Sequence, residues 1–294
     1  MFSALFVRGG HLRAGWRFLA FAVAAAVLLI AHGAALQQIP AVASLLERAR
    51  AGSITVAGTL ISVGTGLVLV LGLTALAARL ERRSFAAYGF PRQSAFGAQF
   101  RRGVLWGLAM TTLVIGATWL LGGVSFDPPS LSAAGIAFYA VAWAIAFTLV
   151  GLTEELLFRG YAFSALRAAI GFWPAAAILA ALFGAVHLSN PGESVLGALN
   201  VVTYALFVSF TLQRTGNLWF AVGIHAAWDY ATSVLYGVPV SGVRAEGHLL
   251  QAHIHGPTWL TGGSAGPEGS VLGLAALGIA FIVFARRVRR APIQ

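Results

Sequence analysis

Between Trp16 and Ala285 the chain is a succession of apolar runs, each near or above the roughly 20 residues that an α-helix needs to cross a bilayer. Hydrocarbon offers no water to backbone N–H and C=O groups, so runs of this kind have to be helices packed against one another. With 59% hydrophobic and only 10% charged residues, and a mean hydropathy of +0.83, the chain is far from a soluble domain, in which about a quarter of residues are charged. The expected fold is all-α, a polytopic membrane bundle of about eight transmembrane helices with both termini cytoplasmic. It divides into helices one to three with a basic cytoplasmic loop (1–130), a core of helices four to seven (131–238), and an outer loop, helix eight and a basic tail (239–294).

The expected spans run from about Trp16 to Leu36, Ser53 to Ala78, Gly103 to Gly122 and Ser132 to Ala169. The others start at about Pro174, or run from Ser194 to Leu212, Leu218 to Tyr236 and Gly269 to Ala285. The first is longer than a signal-peptide core and is read as retained. Asp127-Pro128-Pro129 breaks the chain before span four, Gly171 ends that span, and Gln213–Asn217 is a short turn. Gly237–Pro267 reads as a polar, glycine-rich loop. Arg79 to Arg102, six arginines interleaved with Phe85, Tyr88, Phe90, Phe96 and Phe100, suits an interfacial segment on an anionic leaflet as well as a solvated basic loop.

The net charge of +10 does not point to nucleic acid, because the basic residues, all arginine, sit in short loops where they set topology. Eight spans put sixteen of the 19 arginines on the side of the termini, among them Arg8, Arg286, Arg289 and Arg290, and leave Arg48, Arg50 and Arg244 opposite. That bias makes the terminal side of this multi-pass chain cytoplasmic, with the lipid bilayer as its first partner; a bacterial inner membrane and a peptide or protein substrate are expectations that rest on the family resemblance given below. The absence of cysteine removes disulfides and thiolate metal sites, leaving His, Asp and Glu as ligands.

Thr153-Glu154-Glu155-Leu156-Leu157-Phe158-Arg159-Gly160 places three charges in a spanning run, each costing at least about 2.5 to 3.5 kcal/mol there, which marks a functional site or a structural ion pair. On one helix Glu155 and Arg159 are i,i+4 neighbours, while Glu154 is rotated by about 100°. Glu155 is then the neutralised partner, oriented by Arg159, and Glu154 the carboxylate free for chemistry. Gly171 lies 17 residues after Glu154 and 16 before His187, so an antiparallel hairpin brings both to similar depth. His225 and Asp229 share one face of span seven. Buried polar groups must satisfy one another, so these residues are expected to converge. His32 reads as a satisfied core histidine, and His248, His253 and His255 as members of a polar loop.

Such a set can hydrolyse an amide through a carboxylate base and histidine, with further donors for the oxyanion. It can equally hold a metal such as Zn2+, through Glu155, His187, His225 and Asp229, with Glu154 as base; the spacing is not H-E-x-x-H. The residues leave both open.

Glu154-Glu155-x-x-x-Arg159, Phe183-x-x-x-His187 and His225-x-x-x-Asp229, in this order on successive helices, resemble the motifs of the CPBP family. That family comprises CAAX prenyl endopeptidases of the Ras-converting type and bacterial relatives tied to bacteriocin processing and immunity, including lysostaphin-resistance-like proteins. The turn Gln213–Trp219 is similar to bacterial members, and the resemblance covers about Ser132 to Tyr236. It implies an intramembrane endopeptidase in which Glu154 and His187 activate water while His225 and Asp229 hold the oxyanion, by a glutamate-dependent, metal-free mechanism. Asp229 stands where the prenyl endopeptidases have Asn. A non-catalytic immunity or scaffold protein of the same fold and a proton-coupled transporter are the alternatives.

The topology is testable by labelling, since no native cysteine interferes. Gly263→Cys should react with an impermeant thiol reagent in intact cells, and Ile293→Cys only after lysis; equal labelling of both would remove the eight-span arrangement.

Overall fold

The computed structural model describes Val7, Arg8 and residues 11–288; Arg289, Arg290 and Ile293 lie outside the described residues. Ten helices carry the architecture: α1 (Ala14–Gln37), α2 (Pro40–Arg50), α3 (Val56–Leu80), α4 (Ala98–Leu120), α5 (Ala133–Arg159), α6 (Tyr161–Ile170), α7 (Phe172–His187), α8 (Val195–Thr215), α9 (Trp219–Tyr230) and α10 (Val271–Arg287). Hydroxyl caps set four of the starts. Thr55, Ser132, Ser194 and Ser270 each accept the N–H of a glycine three residues on, at 3.0 to 3.2 Å, satisfying a donor that a helix N-terminus leaves orphaned.

Five helical segments are long and apolar enough to cross a membrane: α1, α3, α4, α5 continued by α6, and α8. The expected spans five, seven and eight appear as shorter helices, of 16 residues in α7, 12 in α9 extended by a π-turn over Ala231–Leu235, and 17 in α10. Span four is not one continuous helix. At Gly160 the backbone turns to ψ −118°, and a Cβ there would lie 3.0 Å from Leu156 Cδ1, so α5 stops and α6 restarts at Tyr161 to pack on α1. Helix α4 begins at Ala98, earlier than expected, and takes Arg101 and Arg102 into its first turns.

The outer loop is more ordered than its glycine content suggests. Within it, β3 (Arg244–Ala245) pairs in parallel with β1 (Ser53–Ile54), and β4 (Gln251–Ile254) pairs antiparallel with β2 (Val124–Asp127). Trp143 Nε1 donates to the Glu246 carbonyl at 2.8 Å, and the Glu246 carboxylate accepts the Val56 N–H. His253 bonds Asp127 at 2.8 Å and His255, just after β4, bonds Ser125 at 2.9 Å, so these histidines stitch this stretch to β2.

Helix α9 is the axis of the bundle, buried along nearly all its length between α4 and α5. Glycines permit that approach. A Cβ on Gly107 of α4 would lie 2.8 Å from Ala227 Cβ and 3.0 Å from Trp228 N, and one on Gly151 of α5 would lie 3.3 Å from His225 Cβ. Without side chains at these positions the backbones meet directly, which brings α5 and its two glutamates against His225.

Gly107→Ala should therefore destabilise the bundle by about 1–3 kcal/mol, the cost of overpacking. Gly116→Ala on the same helix, where a Cβ meets nothing within 4 Å among the described residues, should be neutral or slightly stabilising. Thermal unfolding in detergent distinguishes the two, and equal midpoints would remove Gly107 as the contact that seats α9.

Candidate active site

The consecutive carboxylates of α5 have opposite surroundings. Glu155 has no exposed surface; its Oε1 accepts from Arg159 at 3.4 Å and from His225 Nδ1 at 3.0 Å. Arg159, equally buried, lays its guanidinium 4.5 Å from the Phe183 ring centroid and 5.8 Å from that of Phe158. A guanidinium over aromatic faces is held in the plane its carboxylate partner needs. Glu154 is half-buried and lines a cavity of about 340 Å³. Its Oε2 has no hydrogen-bond partner among the described residues and stands 3.6 Å from His225 Nε2.

His225 is the hub. Nδ1–H donates to Glu155, and Nε2 faces Glu154 at 3.6 Å and Asp229 Oδ2 at 3.7 Å. The bond to Glu155 fixes the tautomer, so in the neutral ring Nε2 is the acceptor. His225 and Asp229 share a face because they are one helical turn apart on α9, and both are buried. His187, the last residue of α7, donates from Nδ1 to the Phe183 carbonyl at 2.8 Å, which leaves Nε2 as the acceptor. It lines the same cavity as Glu154 but makes no ion pair among the described residues, so the histidine directly beside Glu154 is His225 and not His187.

Glu155, His187, His225 and Asp229 do not fit a ready-made zinc site. Glu155 Oε1 is already bonded to Arg159 and His225, and among the described residues no three His, Asp or Glu side chains gather as a ligand set. His32 bonds Thr65 at 2.7 Å and lines a second cavity, of about 260 Å³, with Leu29, Leu36 and Val63; Glu154 is on the wall of both cavities.

The cavity also contains residues that the motifs do not mark. Glu268, from the segment before α10, accepts from Trp228 Nε1 at 3.1 Å and from Ser241 N and Oγ at 2.9 and 2.8 Å. Those bonds fasten the outer loop over the cavity, whose wall includes Val240, Ser241 and Val243. Asn200 and Tyr204 of α8 complete the set. Outside the cavity lining, Glu193 in the connection between α7 and α8 accepts from the Ser194 N–H at 2.8 Å, and burial holds its carboxyl above the usual range. A lone amide in an apolar run is a weaker signal than a charge, and Glu268 follows a loop without periodicity.

Residues 136–231 match the family model described as type II CAAX prenyl endopeptidase, Rce1-like. This segment contains Glu154, Glu155, Arg159, His187, His225 and Asp229, in keeping with the CPBP resemblance. No curated protein and no solved structure matches the chain.

Breaking a buried ion pair leaves a charge without compensation. Arg159→Ala should cost about 3–5 kcal/mol in thermal or denaturant unfolding, and adding Glu155→Gln should recover part of it. Wild-type stability in the single variant would show that Arg159 does not hold Glu155.

Proposed function

We propose that the protein is an intramembrane endopeptidase that cleaves a peptide bond in a membrane-associated or prenylated-type substrate by water activated on Glu154, without a metal. The observation that carries this reading is the contrast between adjacent carboxylates. Glu155 is consumed by Arg159 and His225, whereas Glu154 offers an unpartnered oxygen to a cavity that also holds His187, His225 and Asp229.

In this reading Glu154 takes a proton from water, and the free Nε2 of His187, across the same cavity, orients that water. The hydroxide attacks the scissile carbonyl, and the proton held by Glu154 passes to the leaving nitrogen. His225 Nε2 donates to the oxyanion when the ring carries both protons, and a protonated Asp229 is the second donor. Glu155 and Arg159 touch no substrate and position His225. The same reading takes eight spans and places the site within a bacterial inner membrane; beside the five long helices, α7, α9 with its π-turn, and α10 each extend about 24–26 Å, a few Å less than the hydrocarbon core of about 30 Å.

A farnesylated CAAX peptide, offered to the protein in lipid vesicles, tests the base. Glu154→Gln should lower turnover by about 10²- to 10⁴-fold with the fold intact. Full turnover by that variant would sink the general-base assignment, and absence of turnover by the parent would favour an immunity or scaffold protein of the same fold. Asp229 separates the two mechanisms. Asn carries donor hydrogens at every pH and is a poor metal ligand, so Asp229→Asn should retain activity, lose any alkaline fall due to Asp229, and ignore chelators. An inactive Asn variant beside a chelator-sensitive, metal-rescued parent would make this a metalloprotease.

A further inference from the structure

Asn200 and Tyr204 stand one helical turn apart on α8, and both line the cavity that holds Glu154 and His225. No step of the proposed hydrolysis uses them. Asn200 is 3% exposed, and its Nδ2 donates to the Leu196 carbonyl at 3.1 Å and to the Ser270 carbonyl at 3.0 Å. Those two bonds use both amide hydrogens and fix the orientation of the group. Its Oδ1 is left buried without a partner among the described residues. The Tyr204 hydroxyl is buried and unpartnered in the same sense, and its ring meets His225 edge-on at 5.6 Å between centroids.

Buried polar groups without partners are rare in native structures and destabilise them, so two on one helix face along one cavity wall call for a ligand that satisfies both. The chemistry on offer is one fixed acceptor and one rotatable donor. A peptide residue in an extended chain presents the complement, because its N–H and C=O point to the same side, as in the paired residues of a β-ladder. Side chains at i and i+4 emerge about 5–6 Å apart, close enough for both to reach one such residue.

We propose that Asn200 and Tyr204 form a backbone clamp for an extended peptide, with Asn200 Oδ1 accepting a substrate N–H and the Tyr204 hydroxyl donating to a substrate carbonyl beside His225. The clamp rests on the endopeptidase reading of this cavity and gives it a recognition mode that depends on the backbone and not on side-chain identity. Its position next to His225 sets the carbonyl it grips close to the groups that act on the scissile bond.

The test reads binding separately from turnover. A fluorescent farnesylated CAAX peptide is titrated into Glu154→Gln protein in nanodiscs, then into the same protein carrying Tyr204→Phe or Asn200→Ala. Each added substitution should weaken binding by about 5- to 10-fold, the worth of one hydrogen bond. Tyr204→Phe removes only an unsatisfied hydroxyl, so its thermal midpoint should stay level or rise, a combination that a purely structural tyrosine would not give. N-methylating the peptide one nitrogen at a time should reveal a position that weakens binding to the Glu154→Gln parent and leaves the Asn200→Ala variant indifferent. If Asn200→Ala fails to fold for want of its Ser270 bond, Tyr204→Phe alone decides. Unchanged binding by Tyr204→Phe, or no binding of the peptide to the Glu154→Gln parent, overturns the clamp. Binding that depends on Tyr204 without cleavage by protein retaining Glu154 instead sinks the protease reading and leaves the clamp standing.

Discussion

Ionisable groups of the first and third sequence motifs meet at one contact, between Glu155, Arg159 and His225. A carboxylate and a guanidinium, both almost wholly enclosed, meet at 3.4 Å, and the same carboxylate oxygen takes the Nδ1 proton of His225 at 3.0 Å. Such a pair contributes little net stability, because desolvation of two ions offsets most of their attraction. What it supplies is position. Glu155 Oε2 and Arg159 Nη2 remain without partners among the described residues, so the network is not fully satisfied and its geometry is not the one that would maximise hydrogen bonding. Through His225 that geometry passes from α5 to α9, and through the guanidinium stacked on Phe183 it passes to α7. Three helices that carry separate motifs are thereby held in one register.

The glycines explain how the network forms. Charged side chains of this length meet across two helices only when the backbones are close, and Gly151 removes the side chain that would stand between α5 and His225. Gly107 does the same on the other flank of α9. The apolar packing of Phe207, Phe220, Ile224 and Phe284 then fills the space around α9, so the polar contact sits inside a core that excludes alternatives.

Much of this was legible in the sequence. The apolar runs pointed to the helical class, since a continuous apolar run of about 20 residues satisfies its own backbone in lipid only as a helix, and the expense of charge in such runs singled out Glu154, Glu155 and Arg159. Helical spacing separated the two glutamates onto different faces, and the structure shows Glu155 paired and Glu154 facing a cavity. Three features were hidden for physical reasons. The break at Gly160 depends on one backbone angle, and a glycine within an apolar helix is compatible with continuity. Counting residues about Gly171 gave equal depths for Glu154 and His187 but not rotation about the helix axes, and His225 is the histidine that lies against Glu154. The ordered outer loop depends on pairs such as Ser53 with Arg244 and Val124 with Ile254, far apart in the chain and without a local pattern.

Glu154, proposed above as the base, faces opposing demands inside a membrane protein, because such a group must be dry enough to be reactive and open enough to be reached. The structure resolves them by placing Glu154 on the wall between two cavities. One is roofed by the outer loop, which Glu268 ties to Trp228 of α9 and to Ser241, and it contains the polar groups. The other is walled by Leu29, Leu36, Leu46 and Val63 of the first helices together with His32, Ser62 and Thr153. Ser62, Val63, Val150 and Glu154 belong to both walls. The wall between the two cavities is thus occupied by the carboxylate of the pair that no arginine neutralises among the described residues, and that follows from Glu155 lying one residue further along α5, against Arg159 and His225.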